Sequence, residues 1–210
     1  GIYLYSADGN LTMAATDGYR LAEKELMKID SEIQAIIPAT TLMEVLRLIN
    51  DGIKEILVRI NDEQISFGIG SIGLTSRLID GKFIDYKQLI PTEADFTVTV
   101  DRNEFIRVVK VASIFAHSSA GSIVVKTSGE KQELSVVTPA SELGENNSSI
   151  EAEISGGNDG TISLNSKYLL DALNFIPSDK VNMRFSGKLS PVLLTGEKND
   201  YNHIIMPVKY

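Results

Sequence analysis

The chain has 210 residues, 43% of them hydrophobic, and a formal net charge of −8. That composition supports one large or two ordinary packed domains and excludes a disordered chain. The acidic balance excludes a protein that grips nucleic acid over its whole surface, but not an acidic body with one basic face. Cysteine is absent, which removes disulfides and thiolate metal sites and fits a reducing compartment. Apolar runs such as Val108–Val109 and Ile204–Met206 are too short to cross a bilayer. No basic and apolar leader opens the chain, so no signal peptide is expected.

Gly1–Tyr5 reads as a strand, turned at Asp8-Gly9-Asn10 onto a second strand at Leu11–Ala15. Asp17-Gly18 marks another turn, before a longer strand over Tyr19–Lys28 and a buried one over Ile33–Ile37. The first helix is expected over Thr40–Asn50, because Leu42, Val45, Leu46 and Ile49 share one stripe. Asp51-Gly52 is expected to stop it through a left-handed glycine. Strands follow at Glu55–Ile60, Gln64–Gly68 and Ile72–Ile79. The polar stretch Thr92–Asp95 after Pro91 suggests a boundary, giving domains 1–93 and 94–210.

In the second domain, Phe96–Val100 is a strand and Arg102–His117 a helix striped by Phe105, Val108, Val109, Ala112 and Phe115. Strands are expected at Ser122–Thr127, Glu133–Thr138 and Ser149–Ile154. A third helix, Ser166–Ile176, has Asn165 as N-cap and Leu169, Leu170 and Leu173 as core. Strands at Lys180–Phe185, Pro191–Thr195 and Tyr201–Met206 follow. A helix, several strands and an Asp-Tyr…Pro ending occur twice, from Thr40 to Pro91 and from Asn165 to Pro207. Two similar α+β units in series are expected, a usual route to curved or ring assemblies.

Signs of catalysis are sparse. His117 and His203 have no second ligand at metal spacing, so each is read as structural or solvated, and no metal site is expected. No nucleophile elbow or phosphate loop occurs. Gly68-Ile-Gly70-Ser-Ile-Gly73 matches the dinucleotide fingerprint by letter, but that motif must open a helix. Here Leu74–Ile79 reads as strand and the glycines as a hairpin turn, so no cofactor is expected. The five Asp-Gly pairs, at Asp8, Asp17, Asp51, Asp80 and Asp159, are read as turns.

Four segments carry a resemblance. Ala15-Thr16-Asp17-Gly18-Tyr19-Arg20-Leu21-Ala22 resembles the Ala-Thr-Asp-Gly-His-Arg-Leu-Ala of bacterial DNA sliding clamps, the beta subunit of the replicative DNA polymerase III. Leu78-Ile79-Asp80-Gly81-Lys82-Phe83-Ile84-Asp85-Tyr86 is similar to that family's Leu-Val-Asp-Gly-Arg-Phe-Pro-Asp-Tyr. Asn165-Ser166-Lys167-Tyr168-Leu169-Leu170 resembles its Asn-x-x-Tyr-hydrophobic-Leu helix start. Ile205-Met206-Pro207-Val208-Lys209-Tyr210 looks like its Val-Met-Pro-Met-Arg-Leu terminus. Order and spacing agree from end to end.

The resemblance implies an α+β fold of tandem DNA-clamp domains, with antiparallel sheets outside and helices lining the inner face. It implies most of the family's middle domain and all of its last. The first domain and the opening helix and strand of the middle one would lie outside this chain. A chain lacking that first domain is expected to be monomeric or to associate non-natively, whereas the full-length family closes a homodimeric ring.

The implied function is that of a cytoplasmic, non-catalytic processivity factor. It would encircle duplex DNA without sequence preference and tether the polymerase catalytic subunit, the clamp loader and other proteins bearing clamp-binding motifs. No membrane partner is implied. Carried over by position, the partner cleft would use Thr16, Gly18, Tyr19, Arg20, Leu21, Ile84, Gln88 and Leu89 from the middle domain. The last domain would give Asn165, Tyr168, Leu189, Pro191, Val192, Ile204, Ile205, Met206, Pro207 and Val208. Tyr19 stands for the usual His, Ile84 for a Pro, Gln88 for an Arg and Val208 for a Met; the lost arginine and the shorter Val208 side chain bear on the cleft's periphery more than on its deep pocket.

Without the resemblance, Leu21, Leu89 and Ile204 read as ordinary core. Arg47, Arg102, Arg107, Lys110 and Lys167 are candidates to face DNA, though Glu44, Asp51, Glu104 and Asp171 share their helices. Ile114 and Phe115 match the family's subunit contact, and otherwise read as helix core. Two other readings stand beside this one: a peptide-binding adaptor with no DNA role, and a nucleotide-binding enzyme using the Gly68–Gly73 turn.

Overall fold

The computed structural model describes residues 1–91, 93–138, 144–157, 159–198 and 200–208. Lys209 and Tyr210, which close the last motif, and Thr92, in the expected boundary stretch, lie outside the described residues. The chain forms two compact units: residues 1–16 with 23–85, and residues 17–22 with 86–210. The class is α+β with antiparallel sheets, as the repeat and the resemblance led one to expect.

In the first unit, β1 (Ile2–Ala7) pairs antiparallel with β2 (Asn10–Thr16) across a tight turn in which Asp8 and Gly9 both take positive φ. Beside them in the sheet lie β3 (Arg20–Lys28), next to β2, and β4 (Gln34–Ile37), next to β1. Helix α1 (Ala39–Leu48) follows, then the three-stranded sheet of β5 (Ile56–Ile60), β6 (Gln64–Ile69) and β7 (Ile72–Arg77). The core gathers Leu4, Ile37, Val45, Ile65, Phe67 and Ile69. An apolar cavity of about 580 Å³ lies among Leu11, Met13, Leu26, Met27, Leu42 and Phe67.

Two local expectations are corrected here. Gly52 does not end α1 in a left-handed conformation. The chain is already extended at Ile49 (φ −74°, ψ 127°), and Gly52 is absent from the positive-φ glycines. The helix stripe is also less buried than its period suggests: Val45 is buried, but Leu46 is 69% exposed and Ile49 40% exposed. The Gly68–Gly73 segment is the hairpin between β6 and β7. Ile69 faces Ile72, and Gly70 (φ +59°) supplies the backbone turn no β-branched residue accepts readily. No helix begins there, so the fingerprint's pyrophosphate seat is not formed.

In the second unit, β8 (Phe96–Asp101) leads into α2 (Arg102–Phe115). Asp101 caps that helix by accepting from the Glu104 amide at 2.8 Å, which satisfies one of the amides a first turn leaves orphaned. A 3-10 turn, Ala116–Ser119, extends it. Then come β9 (Ser122–Ser128), β10 (Glu133–Val137), β11 (Asn147–Glu151), β12 (Glu153–Gly156) and β13 (Asp159–Asn165). Helix α3 (Ser166–Phe175) precedes β14 (Lys180–Phe185), β15 (Val192–Thr195) and β16 (Tyr201–Ile205).

One sheet of this unit runs β12-β8-β14-β15-β16 with the start of β3 beside β16, and the other runs β11-β10-β9-β13. Helices α2 and α3 pack on each other, burying Phe105, Val109, Ala112, Leu169 and Leu173 completely.

Two strand expectations differ from the structure. Asp159-Gly160 is not a turn but the start of β13, registered against Ser128 and Thr127. The glycine serves close approach: a Cβ there would stand 2.8 Å from both the Phe185 ring and the Thr127 hydroxyl oxygen. The single strand expected over Ser149–Ile154 is two. β11 pairs with β10, and β12 leaves for the other sheet, pairing with β8. Gln132, at φ +51°, spans that break. Its backbone carbonyl accepts from Ala152 (2.9 Å), its side-chain oxygen from Ile154 (2.8 Å), and its side-chain amide donates to Gly129 (2.8 Å). Gln132→Ala should therefore cost about 1 kcal/mol, the net worth of such bonds in a partly wet setting, read as a lower urea midpoint with unchanged slope.

Candidate functional site

The segment 17–22, which belongs to the second unit, is shaped by its own sequence. The Asp17 carboxylate accepts from the backbone amides of Tyr19 and Arg20, each at 3.0 Å, an Asx turn closed over Gly18 at φ +87°. Tyr19 is thrown outward, 65% exposed. Its carbonyl accepts from the Met206 amide at 2.8 Å, which fixes the residues after β16 alongside this turn. Further on, the Val208 amide donates to Ser163 at 2.9 Å.

Arg20 turns inward to α3. Its Nε donates to Asp17 at 3.0 Å and a terminal nitrogen to Asp171 at 2.5 Å, while the guanidinium lies 4.5 Å from the centre of the Tyr168 ring. The Asp171 hydrogen bond is the first cause holding the Arg20 pKa above its ordinary value, against desolvation. Burial pushes Asp17 up, but the Tyr19 and Arg20 hydrogen bonds and the Arg20 charge outweigh it, leaving its carboxyl below the usual range. Asn165 sets Tyr168 in place by capping α3, accepting from Lys167 and Tyr168 at 2.9 and 3.2 Å.

Beneath these groups the site is sealed. Leu21, Val192, Ile204 and Ile205 are 0 to 3% exposed, with Val192 registered on Ile205 and Leu193 on Ile204. These four are core, and the accessible surface is left to Tyr19, Met206, Pro207 and Val208. His203 is also buried, its Nδ1 2.9 Å from the Tyr201 hydroxyl. Burial, reinforced by the Arg20 charge, lowers its pKa to about 4, and burial raises that of Tyr201 to about 12.

The remaining expected cleft residues are placed more simply. Gln88 and Leu89 sit in a 3-10 turn, Lys87–Leu89, with Leu89 40% exposed. Leu189 is exposed and Pro191 half-buried just before β15. Thr16 ends β2 and Ile84 is exposed, both within the first unit. Asp171 and Tyr201 were not singled out from sequence as site residues. The i, i+3 spacing of Tyr168 and Asp171 puts both on one helix face, but nothing local predicts which cation they meet.

The basic candidates divide. Arg47 pairs with Glu44 at 2.6 Å and Arg107 with Glu104 at 3.4 Å, both within one helix turn and well exposed. Lys110 and Lys167 are exposed. Arg102 is committed elsewhere: it donates to the Ile176 and Leu173 carbonyls at 3.1 and 3.4 Å, capping the C-terminal end of α3. Ile114 is 66% exposed on α2, while Phe115 is half-buried. Among the described residues no group of three or more His, Asp or Glu is placed to hold a metal, and no helix is long and apolar enough to cross a membrane.

Residues 87–209 match the family model for the DNA polymerase III beta subunit, C-terminal domain, and residues 1–85 match that for its central domain. The chain belongs to the DNA polymerase III beta subunit family. A beta sliding clamp of Staphylococcus epidermidis is 30% identical over 214 residues, and one of Staphylococcus aureus 28% over 213. Each alignment takes in 100% of this chain and 56% of the relative, so the chain spans about half the length of the curated relatives it matches. The crystal structure of the DNA polymerase III beta subunit from Pseudomonas aeruginosa superimposes with a TM-score of 0.91 at 28% identity, over 100% of this chain and 58% of that one. The resemblance read from the four motifs thus holds along the whole chain.

Proposed function

We propose that this chain works as part of a DNA sliding clamp in bacterial replication, in the cytoplasm, catalysing nothing and holding partner proteins by short peptide segments. The observation that carries this reading is the exposed platform of the second unit, where the Met206 amide binds Tyr19 beside the Arg20–Tyr168 stack. A peptide ending in Leu and Phe gains about 1.5–3 kcal/mol for each apolar side chain it buries. Met206 supplies a wall that adapts to more than one side chain. Gln88, Leu89, Leu189 and Pro191 of the second unit complete the proposed cleft, with Leu21, Val192, Ile204 and Ile205 as its support. The partners of this class are the polymerase catalytic subunit, the clamp loader and other proteins with such motifs.

Duplex DNA would be attracted weakly, without sequence preference, by Arg47, Arg107, Lys110 and Lys167, with Arg102 acting chiefly on α3. Two of these are already paired to glutamates, which suits loose and salt-sensitive contact. Exposed Ile114, with Phe115, is the proposed subunit contact.

The test is titration of the chain with a labelled Gln-x-x-Leu-Phe peptide, read by fluorescence anisotropy. Saturable binding is expected, weakened about tenfold by Tyr19→Ala and by Met206→Ala, as for truncated interface anchors. Tyr19 is exposed, so its loss should leave the fold intact. No binding, or binding indifferent to both substitutions, overturns the proposal.

A further inference from the structure

The structure locks the Arg20 guanidinium between two carboxylates and a ring. Asp17 approaches from its own turn, Asp171 from α3, and Tyr168 lies beneath. Side-chain exposures of 28% for Arg20, 45% for Asp17 and 38% for Asp171 leave the cluster within reach of a ligand. Two negative charges therefore meet one positive charge at the rim of the proposed peptide platform. Asp17 is tied to the turn by two backbone amides and is needed to shape it. Among the described residues the Asp171 carboxylate makes no such backbone bond. It hydrogen-bonds to Arg20, and so draws the guanidinium toward α3 and over the ring.

We propose that Asp171 is a positioning residue that withholds Arg20 from ligand carboxylates. The site then reads the guanidinium held over the tyrosine ring and not a free cation, and it takes peptides whose residues beside the apolar anchors are uncharged. A ligand carboxylate arriving there would have to displace Asp171 and would face Asp17 as well. An arginine exposed without such partners would do the opposite, since a bidentate guanidinium is a strong carboxylate receptor. This inference rests on the peptide-binding reading above.

The test compares two labelled peptides that differ only in one residue beside the Leu-Phe anchor, Asp in one and Asn in the other. With the unsubstituted chain, the Asp peptide should bind no more tightly than the Asn peptide at low or high salt. In Asp171→Asn, the Asp peptide should gain about threefold over the Asn peptide, in line with an exposed ion pair. That gain should fade as salt is raised and vanish in Asp171→Asn/Arg20→Gln. Because the readout is a ratio of two ligands on one protein, a general loosening of α3 cancels out of it. The inference is overturned if the unsubstituted chain already prefers the Asp peptide in a salt-sensitive way. It is equally overturned if the ratio is unmoved in Asp171→Asn, or if the gain survives Arg20→Gln. If neither peptide binds the unsubstituted chain, the peptide-binding function falls and this inference falls with it. Binding with the wrong ratio sinks the inference alone.

Discussion

Leu173→Ala should cost about 2–5 kcal/mol of stability, the range for a leucine deleted from a packed core, whereas Leu46→Ala should cost less than about 0.5 kcal/mol, as for an open surface. The two leucines hold the same place in the internal repeat, each the eighth residue of its helix. Leu173 is 0% exposed, in the cluster that joins α3 to α2. Leu46 is 69% exposed, since the first unit has one helix among its described residues and none packed beside it. Urea unfolding of both variants, followed by circular dichroism and fitted with a common slope, gives the comparison. Equal losses would contradict the difference in burial between the two copies.

That pair also shows how far the sequence could be read. The apolar stripe located all three helices within a few residues, because period 3.6 depends on the chain alone. Whether a stripe is covered depends on a neighbour, so Leu46 and Ile49 looked no different from Leu173. Asp159-Gly160 read as a turn because those residues tolerate positive φ. The strand exists because Phe185 and Thr127 leave no room for a side chain, and only the folded structure reveals that. The strand break at Ala152 was hidden for a similar reason: Gln132, distant in sequence, bridges it. At the site, Asn165 as N-cap and the Asp17-Gly18 turn were legible from local chemistry. The link from Arg20 to Asp171 spans most of the chain and left no local trace.

Acid should weaken the fold well before its carboxylates are neutralised, by roughly 3 kcal/mol, the free-energy equivalent of the His203 shift. Burial lowers this imidazole from 6.5 to about 4, with the Arg20 charge acting the same way and Asp171 and Asp17 opposing. In the unfolded chain it takes up a proton below 6.5; in the folded chain it stays neutral down to about 4. Unfolding therefore binds a proton across that window. The stabilisation is fully present above about 6.5 and is lost as the pH falls toward 4. Asp17 has the same sense but acts lower, since its carboxyl already lies below its ordinary 3.8. Urea midpoints measured at half-unit intervals from pH 7.5 to 4.5 should fall steadily, and His203→Gln should flatten most of that slope. A flat profile in the unsubstituted chain would show that the imidazole is not held neutral.

The allegiance of residues 17–22 bears on how the protein is made. They are translated between two stretches of the first unit, yet they hydrogen-bond to Met206 and Asp171, which are translated long after them. Chains emerge at about 5–20 residues per second and tend to fold as they go, so this hexapeptide must be held open, half-committed, until α3 and β16 have been made. A gene fragment beginning at Tyr86 would encode every other part of the second unit and still lack the piece that carries Tyr19 and Arg20.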